Sequence, residues 1–117
     1  MRSKIFTCAA VTFAATLVMA SPASANSFSA TTTGVTASWT DGSNTLTASD
    51  TATDGYGAAA QLLRPNGAVE TVYALGGAGS SNSASYSITE DAGISIRACR
   101  TNGGSIVSCG GWVNGFS

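Results

Sequence analysis

Few residues in this 117-residue chain could carry out chemistry, and their types and spacing are the first constraint on its function. The chain has no His, which excludes His-based metal sites and every catalytic triad or dyad that needs an imidazole. Glu90 and Asp91 are adjacent carboxylates, the pairing that general acid–base catalysis uses. Neighbouring residues in a strand face opposite ways, and in a turn both face water. We therefore expect a solvated turn at this position and no catalytic residues.

Asp50 and Asp54 are the candidate metal ligands. Together with Gly55 they match the first, fifth and sixth positions of an EF-hand loop. Ala52 and Gln61 occupy the third and twelfth positions, where such a loop needs an oxygen ligand and a bidentate Glu. The sequence leaves a surface calcium site open and favours a connection built on Asx turns. It predicts no cofactor.

Two arginines and three aromatic residues are the candidates for surface contact. Alternation places Arg97 on the exposed face of a predicted strand and Arg100 where its apolar face ends. Either could anchor a protein partner or form an ordinary cross-strand charge pair. Trp112, in a Gly-rich tail, could stack on a sugar. Trp39 and Tyr73 alternate in phase with apolar residues, so we expect both in the core. Arg97, Arg100 and Trp112 remain as the candidate contacts.

The N-terminus has the pattern of a signal peptide. Two basic residues precede an uncharged apolar run over 5–20, and a small-x-small triplet ends at Ala25. The run is short for a membrane span, which needs about 20 residues. We expect cleavage between Ala25 and Asn26, so that 1–25 is the signal peptide and 26–117 is one secreted domain. Such a domain has no membrane attachment after cleavage, and association with the cell surface stays open.

Cleavage would change the charge and the cysteine count. Residues 26–117 keep three arginines and all six acidic residues, a formal net charge of −3, which gives no electrostatic basis for binding nucleic acid. Cys99 and Cys109 remain as a pair and predict a disulfide in an oxidising compartment. A two-residue turn at Asn102-Gly103 would place Cys99 opposite Ile106. The bridge therefore requires a wider loop or a β-bulge, and it would staple the C-terminal hairpin without joining two sheets.

Apolar residues alternate with Ser and Thr through most of 26–117, which is the period-two pattern of half-buried strands. Asp41-Gly42 and Pro65-Asn66-Gly67 are turn signals for two hairpins. Seven or eight short strands recur at intervals of about 8–12 residues, with a first edge strand near Phe28. The sequence predicts an all-β fold, a small antiparallel β-sandwich of immunoglobulin or fibronectin type III style. A small β-barrel is the structural alternative.

Three segments carry a family resemblance: Ala37-Ser38-Trp39, the stretch from Asp50 to Ala58 with its Asp54-Gly55-Tyr56-Gly57, and Arg97-Ala98-Cys99-Arg100 followed by Cys109-Gly110-Gly111-Trp112. Together they resemble small secreted β-sandwich proteins of actinobacteria, Streptomyces-like in their Ala-, Thr-, Ser- and Gly-rich style. The resemblance covers most of 26–117. It implies an extracellular location and a fold, and it implies no activity.

Two functional hypotheses follow. The first is a non-catalytic extracellular module for binding, adhesion or envelope association, with an extracellular protein or a cell-wall component as its partner. The second is a secreted inhibitor or effector of an extracellular hydrolase, with the loop at 64–67 or 100–105 inserted into the enzyme. We do not expect an enzyme, because residues 26–117 contain neither His nor Lys. The sequence does not determine the oligomeric state.

Overall fold

The computed structural model describes residues 26–117, so the predicted signal peptide and Ala25 lie outside the described residues. Within 26–117 the regular structure is β-strand throughout, and no helix in this range has the length and apolar character needed to cross a membrane. The strands are β1 (Phe28–Thr32), β2 (Val35–Thr40), β3 (Thr45–Asp50), β4 (Gly57–Leu63), β5 (Val69–Ala74), β6 (Ser81–Ser85), β7 (Gly93–Asn102), β8 (Ser105–Cys109) and β9 (Val113–Phe116).

The strands form two antiparallel sheets. One has four strands in the order β1-β2-β3-β6. The other has five strands: β9-β7-β4-β5 is its main order, and β8 also pairs with β7. The ten-residue β7 pairs with β9 near its start and with β8 near its end. As a result β8 and β9 lie one after the other along a single edge of this sheet.

The described chain contains nine strands, and the expectation of seven or eight is wrong. The additional strand is β9, in the tail that follows Cys109. Its four residues include Gly115, and glycine weakens the alternation by which a strand is recognised in a sequence. β9 forms because Val113 and Gly115 pair with Ile96 and Ile94 of the long β7.

The two sheets bury their inward faces in one common core. The four-stranded sheet contributes Ala30, Val35, Ala37, Trp39, Leu46 and Ala48, and the five-stranded sheet contributes Ala58, Ala60, Leu62, Val72, Ala74, Ile94, Ile96 and Ala98. Trp39 is 1% exposed, which confirms its predicted place in the core. A core dominated by Ala brings the sheets together with little side-chain volume, so its few large residues carry most of the apolar burial.

Tyr73 corrects the sequence prediction, because it is 39% exposed and lies on the outside of the five-stranded sheet. Along β5 the buried residues are Val72 and Ala74, and Tyr73 has the opposite parity. Glu70 has the same inward parity as Val72 and Ala74. Its charge made the sequence pattern indicate that this side of the strand faced solvent. It is tolerated there because it lies near the strand end, where Arg64 pairs with it.

Every strand position that faces outward on the four-stranded sheet is Ser or Thr, and we call this side the hydroxyl face. Its residues are Ser29, Thr31, Thr36, Ser38, Thr40, Thr45, Thr47, Ser49, Ser81, Ser83 and Ser85. Cross-strand hydroxyl pairs link β3 to β6: the oxygens of Thr45 and Ser85 are 2.8 Å apart, and those of Thr47 and Ser83 are 2.7 Å apart. The face carries no charged side chain.

The predicted disulfide between Cys99 and Cys109 is present, and it staples the C-terminal hairpin within the five-stranded sheet. The hairpin loop is tight, since Asn102 pairs directly with Ser105. Register is restored by a β-bulge between Arg100 and Thr101, so of the two predicted solutions the bulge is correct and the wider loop is wrong.

Candidate binding face

The five-stranded sheet presents a row of polar and aromatic side chains across its outer side, from one edge to the other. Strand register aligns Thr71 of β5 with Gln61 of β4, and Gln61 with Arg97 of β7. Trp112 immediately precedes β9 and lies next to Arg97. We call this side of the sheet the aromatic face. The row forms because residues directly opposite each other in antiparallel strands point to the same side of the sheet.

Hydrogen bonds and stacking fix the side chains of this row. The Gln61 Nε2 amide donates to Thr71 Oγ1 at 3.2 Å, and Arg97 Nε donates to Gln61 Oε1 at 2.8 Å. The Arg97 guanidinium lies over the Trp112 ring, with its Cζ 4.4 Å from the ring centroid. This cation–π contact orients both groups. The row is therefore a preorganised arrangement of an amide, a guanidinium and an indole.

A second row, largely apolar, lies beside the first. Register aligns Tyr73 with Ala59, Ala59 with Cys99, and Cys99 with its disulfide partner Cys109. Ala59 and Cys99 are fully buried although they belong to the outer side of the sheet. Tyr73, at one edge of the sheet, is 39% exposed, and Trp112, at the other edge, is 38% exposed. Two partly exposed rings on one rigid sheet are typical of a binding surface.

Arg97 is the only charged residue among the outward strand positions of this sheet. Neither ion pair found within 26–117 involves it, and the two acidic residues that are paired, Glu70 and Asp54, bind Arg64 and Arg100. In the same described range, Arg97 donates one hydrogen bond, through Nε. Its two terminal amino groups have no partner there and are not buried. They leave an uncompensated positive charge on the face.

Arg100 lies beside a different site, a cleft of about 360 Å³ that is lined by Asp54, Tyr56 and neighbouring loop residues. Its guanidinium lies 3.8 Å from the centroid of the Tyr56 ring and 3.5 Å from Asp54 Oδ2. Thr101 lines the cleft, and its buried Oγ1 has no hydrogen-bond partner among the described residues. Gly57 makes room for that hydroxyl, because a Cβ at Gly57 would overlap Thr101 Oγ1.

The candidate calcium ligands, Asp50 and Asp54, accept hydrogen bonds from backbone N–H groups in turns. Asp50 Oδ1 accepts from the Ala52 backbone N–H at 3.2 Å, and Asp54 Oδ1 accepts from the Tyr56 N–H at 3.0 Å. Both are Asx turns, the alternative that the sequence favoured. Asp54 Oδ2 also faces Arg100, a cation that disfavours a metal ion. Residues 26–117 contain no group of three or more His, Cys, Asp or Glu side chains placed to hold a metal.

The loop that follows β4 is held by Arg64. Its Nη1 pairs with Glu70 at 3.0 Å and its Nη2 donates to the Ser87 carbonyl at 2.8 Å. Cζ lies 5.9 Å from the centroid of the Tyr86 ring. Burial raises the pKa of Tyr86, and the Glu70 carboxylate raises it further, while Arg64 opposes both. The guanidinium of Arg64 is therefore already bonded to groups of this domain, Glu70 and the Ser87 carbonyl.

The structure separates the two arginines that the sequence grouped together. It places Arg97, half-buried, on the aromatic face with Trp112, and it places Arg100 beside the cleft, against Tyr56 and Asp54. Sequence analysis missed Gln61, Thr71 and Tyr73. Thr71 was the available signal, since a hydroxyl between Val69 and Tyr73 fits an outward row better than a core row. Glu90 and Asp91 are exposed in a turn, as expected.

Comparison with known proteins gives no relative. The chain matches no family model, no curated protein and no solved structure.

Proposed function

We propose that residues 26–117 form a secreted, non-catalytic β-sandwich of immunoglobulin or fibronectin type III style that acts as a binding, adhesion or envelope-associated module. The single observation that carries this proposal is the aromatic face. Trp112 lies at one end of a hydrogen-bonded Thr71–Gln61–Arg97 row, Tyr73 lies beside its other end, and both rings are partly exposed. Buried aromatic and arginine side chains contribute most of the binding energy in many interfaces, and here they are preorganised on a rigid sheet.

The rigidity of the face supports a binding function. Thr71, Gln61 and Arg97 lie within three neighbouring strands that are hydrogen-bonded to one another. The Cys99–Cys109 disulfide links the adjacent hairpin. Binding to such a surface orders few side chains, so less of the interaction energy is lost to entropy. The extracellular partner in this proposal is a cell-wall component or another secreted protein.

Retention of the purified domain on cell walls and on proteins of the culture medium tests the proposal. We expect Trp112→Ala and Tyr73→Ala each to weaken retention by about tenfold or more, because aromatic anchors contribute 2 kcal/mol or more when truncated. Trp112→Phe keeps a ring and should retain most of the binding. Ser38→Ala, on the hydroxyl face, is the matched control and should bind as the parent does. Circular dichroism verifies that each variant is folded.

The same experiment tests the inhibitor hypothesis. Recovery of a stoichiometric hydrolase whose activity falls, with no effect of the aromatic-face variants, would replace the proposed module by an inhibitor. The geometry favours the inhibitor less at the 64–67 loop, because Arg64 already bonds to Glu70 and Ser87.

A further inference from the structure

We infer that the aromatic face recognises an isolated carboxylate on a glycan of otherwise neutral sugars, with Arg97 as the group that reads it. The inference rests on the proposed binding function of the same face and adds the chemical class of the ligand. Its starting point is the state of the guanidinium: Nε is committed to Gln61, and the two terminal amino groups have no partner in the described chain.

The geometry of Arg97 suits its guanidinium to bind a planar anion. The contact with the Trp112 ring and the hydrogen bond from Nε to Gln61 together restrain the guanidinium. The remaining pair of amino groups is a rigid fork, and such a fork matches the two oxygens of a carboxylate. The outward strand positions of this sheet contain no acid that could neutralise it. A ligand carboxylate would supply the missing partner.

The groups around the fork suit a sugar. Gln61 and Thr71 offer an amide and a hydroxyl, each able to bond to ring hydroxyls, and these two groups lie in line with Arg97. Tyr73 and Trp112 provide apolar ring surface on which the C–H face of a sugar can pack. Ala59 and Cys99, which lie between the two rings, are fully buried, so a ligand on this part of the face would contact the rings and the first row.

The net negative charge of residues 26–117 favours a ligand with few carboxylates over a densely acidic one. The described residues have three arginines against six acids, and two of those arginines are paired internally. A polyanion or a strongly acidic peptide would meet one free guanidinium and a net repulsion from the rest of the domain. A neutral glycan with single carboxylates, as in a uronic acid or a lactyl ether, gains the Arg97 contact and avoids that repulsion.

The test uses a fully methyl-esterified polygalacturonate and the same polymer after hydrolysis of a small fraction of its esters. In affinity gel electrophoresis we expect the protein to bind the partly hydrolysed polymer about tenfold more tightly, the effect of one charge-assisted bidentate contact. Arg97→Gln should bind both polymers equally. Arg97→Lys keeps the charge, loses the fork, and should lose most of the preference. Arg64→Gln changes the net charge equally at another site and should keep it.

Each alternative outcome has a defined meaning. If both polymers bind equally well and Trp112→Ala abolishes both, the carboxylate inference is overturned while the binding function stands. If neither polymer binds but poly-glutamate does, in an Arg97-dependent way, the ligand is an acidic peptide and the inference is wrong. If Arg64→Gln removes the preference as Arg97→Gln does, the effect is general charge and the assignment of Arg97 fails. Absence of any aromatic-face-dependent binding, to polymers or cell walls, overturns both proposals.

Discussion

At the scale of single residues, the domain separates its three arginines into three environments. Arg64 is paired with Glu70 and Arg100 with Asp54, so both are neutralised locally. Arg97 has a neutral partner, Gln61, and an aromatic ring. The formal charge of the sequence cannot show this difference, because it depends on which strands are neighbours. It is this difference that makes one arginine available to a ligand.

Tyr86 gives a prediction of pH dependence. Burial and the Glu70 carboxylate raise its pKa above the ordinary value of 10.0. A tyrosine whose folded pKa is raised contributes stability that is fully present below the unfolded pKa and is lost as the pH rises through the folded pKa. The free energy of unfolding should therefore fall above pH 10, and Tyr86→Phe should remove the Tyr86 part of that fall.

Two measurements check the Tyr86 prediction. Absorbance titration of the phenolates in the parent, minus that in Tyr86→Phe, isolates Tyr86 and should give a midpoint above 10.0. Glu70→Gln removes the neighbouring negative charge and should move that midpoint down. A difference titration centred at or below the ordinary value would show that the ring is not buried as described.

At the scale of elements, the tail strand β9 depends on the lack of a side chain at Gly115. A Cβ there would overlap the ring of Phe28, which comes from β1 of the other sheet and packs against the core. Gly115→Ala should therefore lower the free energy of unfolding by about 1–3 kcal/mol, the usual cost of overpacking. Urea denaturation measures this cost.

Gly93 provides the matched control for Gly115. It lies in the same strand pair, opposite Phe116, and an added Cβ there meets nothing within 4 Å. Gly93→Ala should be neutral or stabilise the fold by up to about 1 kcal/mol, since Ala restricts the unfolded chain. Equal destabilisation by both variants would mean that the loss of glycine, and not the contact with Phe28, matters in this strand pair.

The elements differ in how far the sequence predicts them. Val35, Ala37 and Trp39 alternate cleanly with Thr and Ser, and β2 and β3 form as the pattern indicates. β6 (Ser81–Ser85) is less evident in the sequence than these two strands. Its Ser-rich run has no apolar pattern, and pairing with β3 defines it. Ile88 still reaches the core, from a loop.

The candidate site was less predictable than the fold, for a physical reason. Alternation identifies the two faces of a strand, but only pairing across strands shows which side chains become neighbours. Along β5 both parities contain apolar residues, so Tyr73 could not be assigned to a face from β5 alone. Arg97 and Gln61 come from two different strands. Their contact depends on the register between these strands, which the sequence of either strand alone does not determine.

At the scale of the whole molecule, the two sheets share one core and should unfold together. Leu46 of the four-stranded sheet and Leu62 of the five-stranded sheet are both fully buried in that core. Leu46→Ala and Leu62→Ala should each cost about 2–5 kcal/mol. Because the domain is small, either change should lower the stability of both sheets equally.

Hydrogen exchange with mass spectrometry measures this coupling. In the Leu46→Ala protein, amides of β4 and β7 should lose as much protection as those of β2 and β3. The reciprocal result is expected for Leu62→Ala. A loss confined to the sheet that carries the substitution would show that the sheets are separate cooperative units and that their common core contributes little.

The hydroxyl face gives the molecule an electrical asymmetry. Ser and Thr side chains hydrate well without carrying charge, so this side has no field of its own to attract or repel an approaching ion. The opposite sheet carries the free positive charge of Arg97. The two sides therefore differ in charge: Arg97 attracts an approaching anion on one side, and no charged strand residue does so on the hydroxyl face. For the proposed binding function, the uncharged hydroxyl face would therefore leave the aromatic face as the side that meets an anionic ligand.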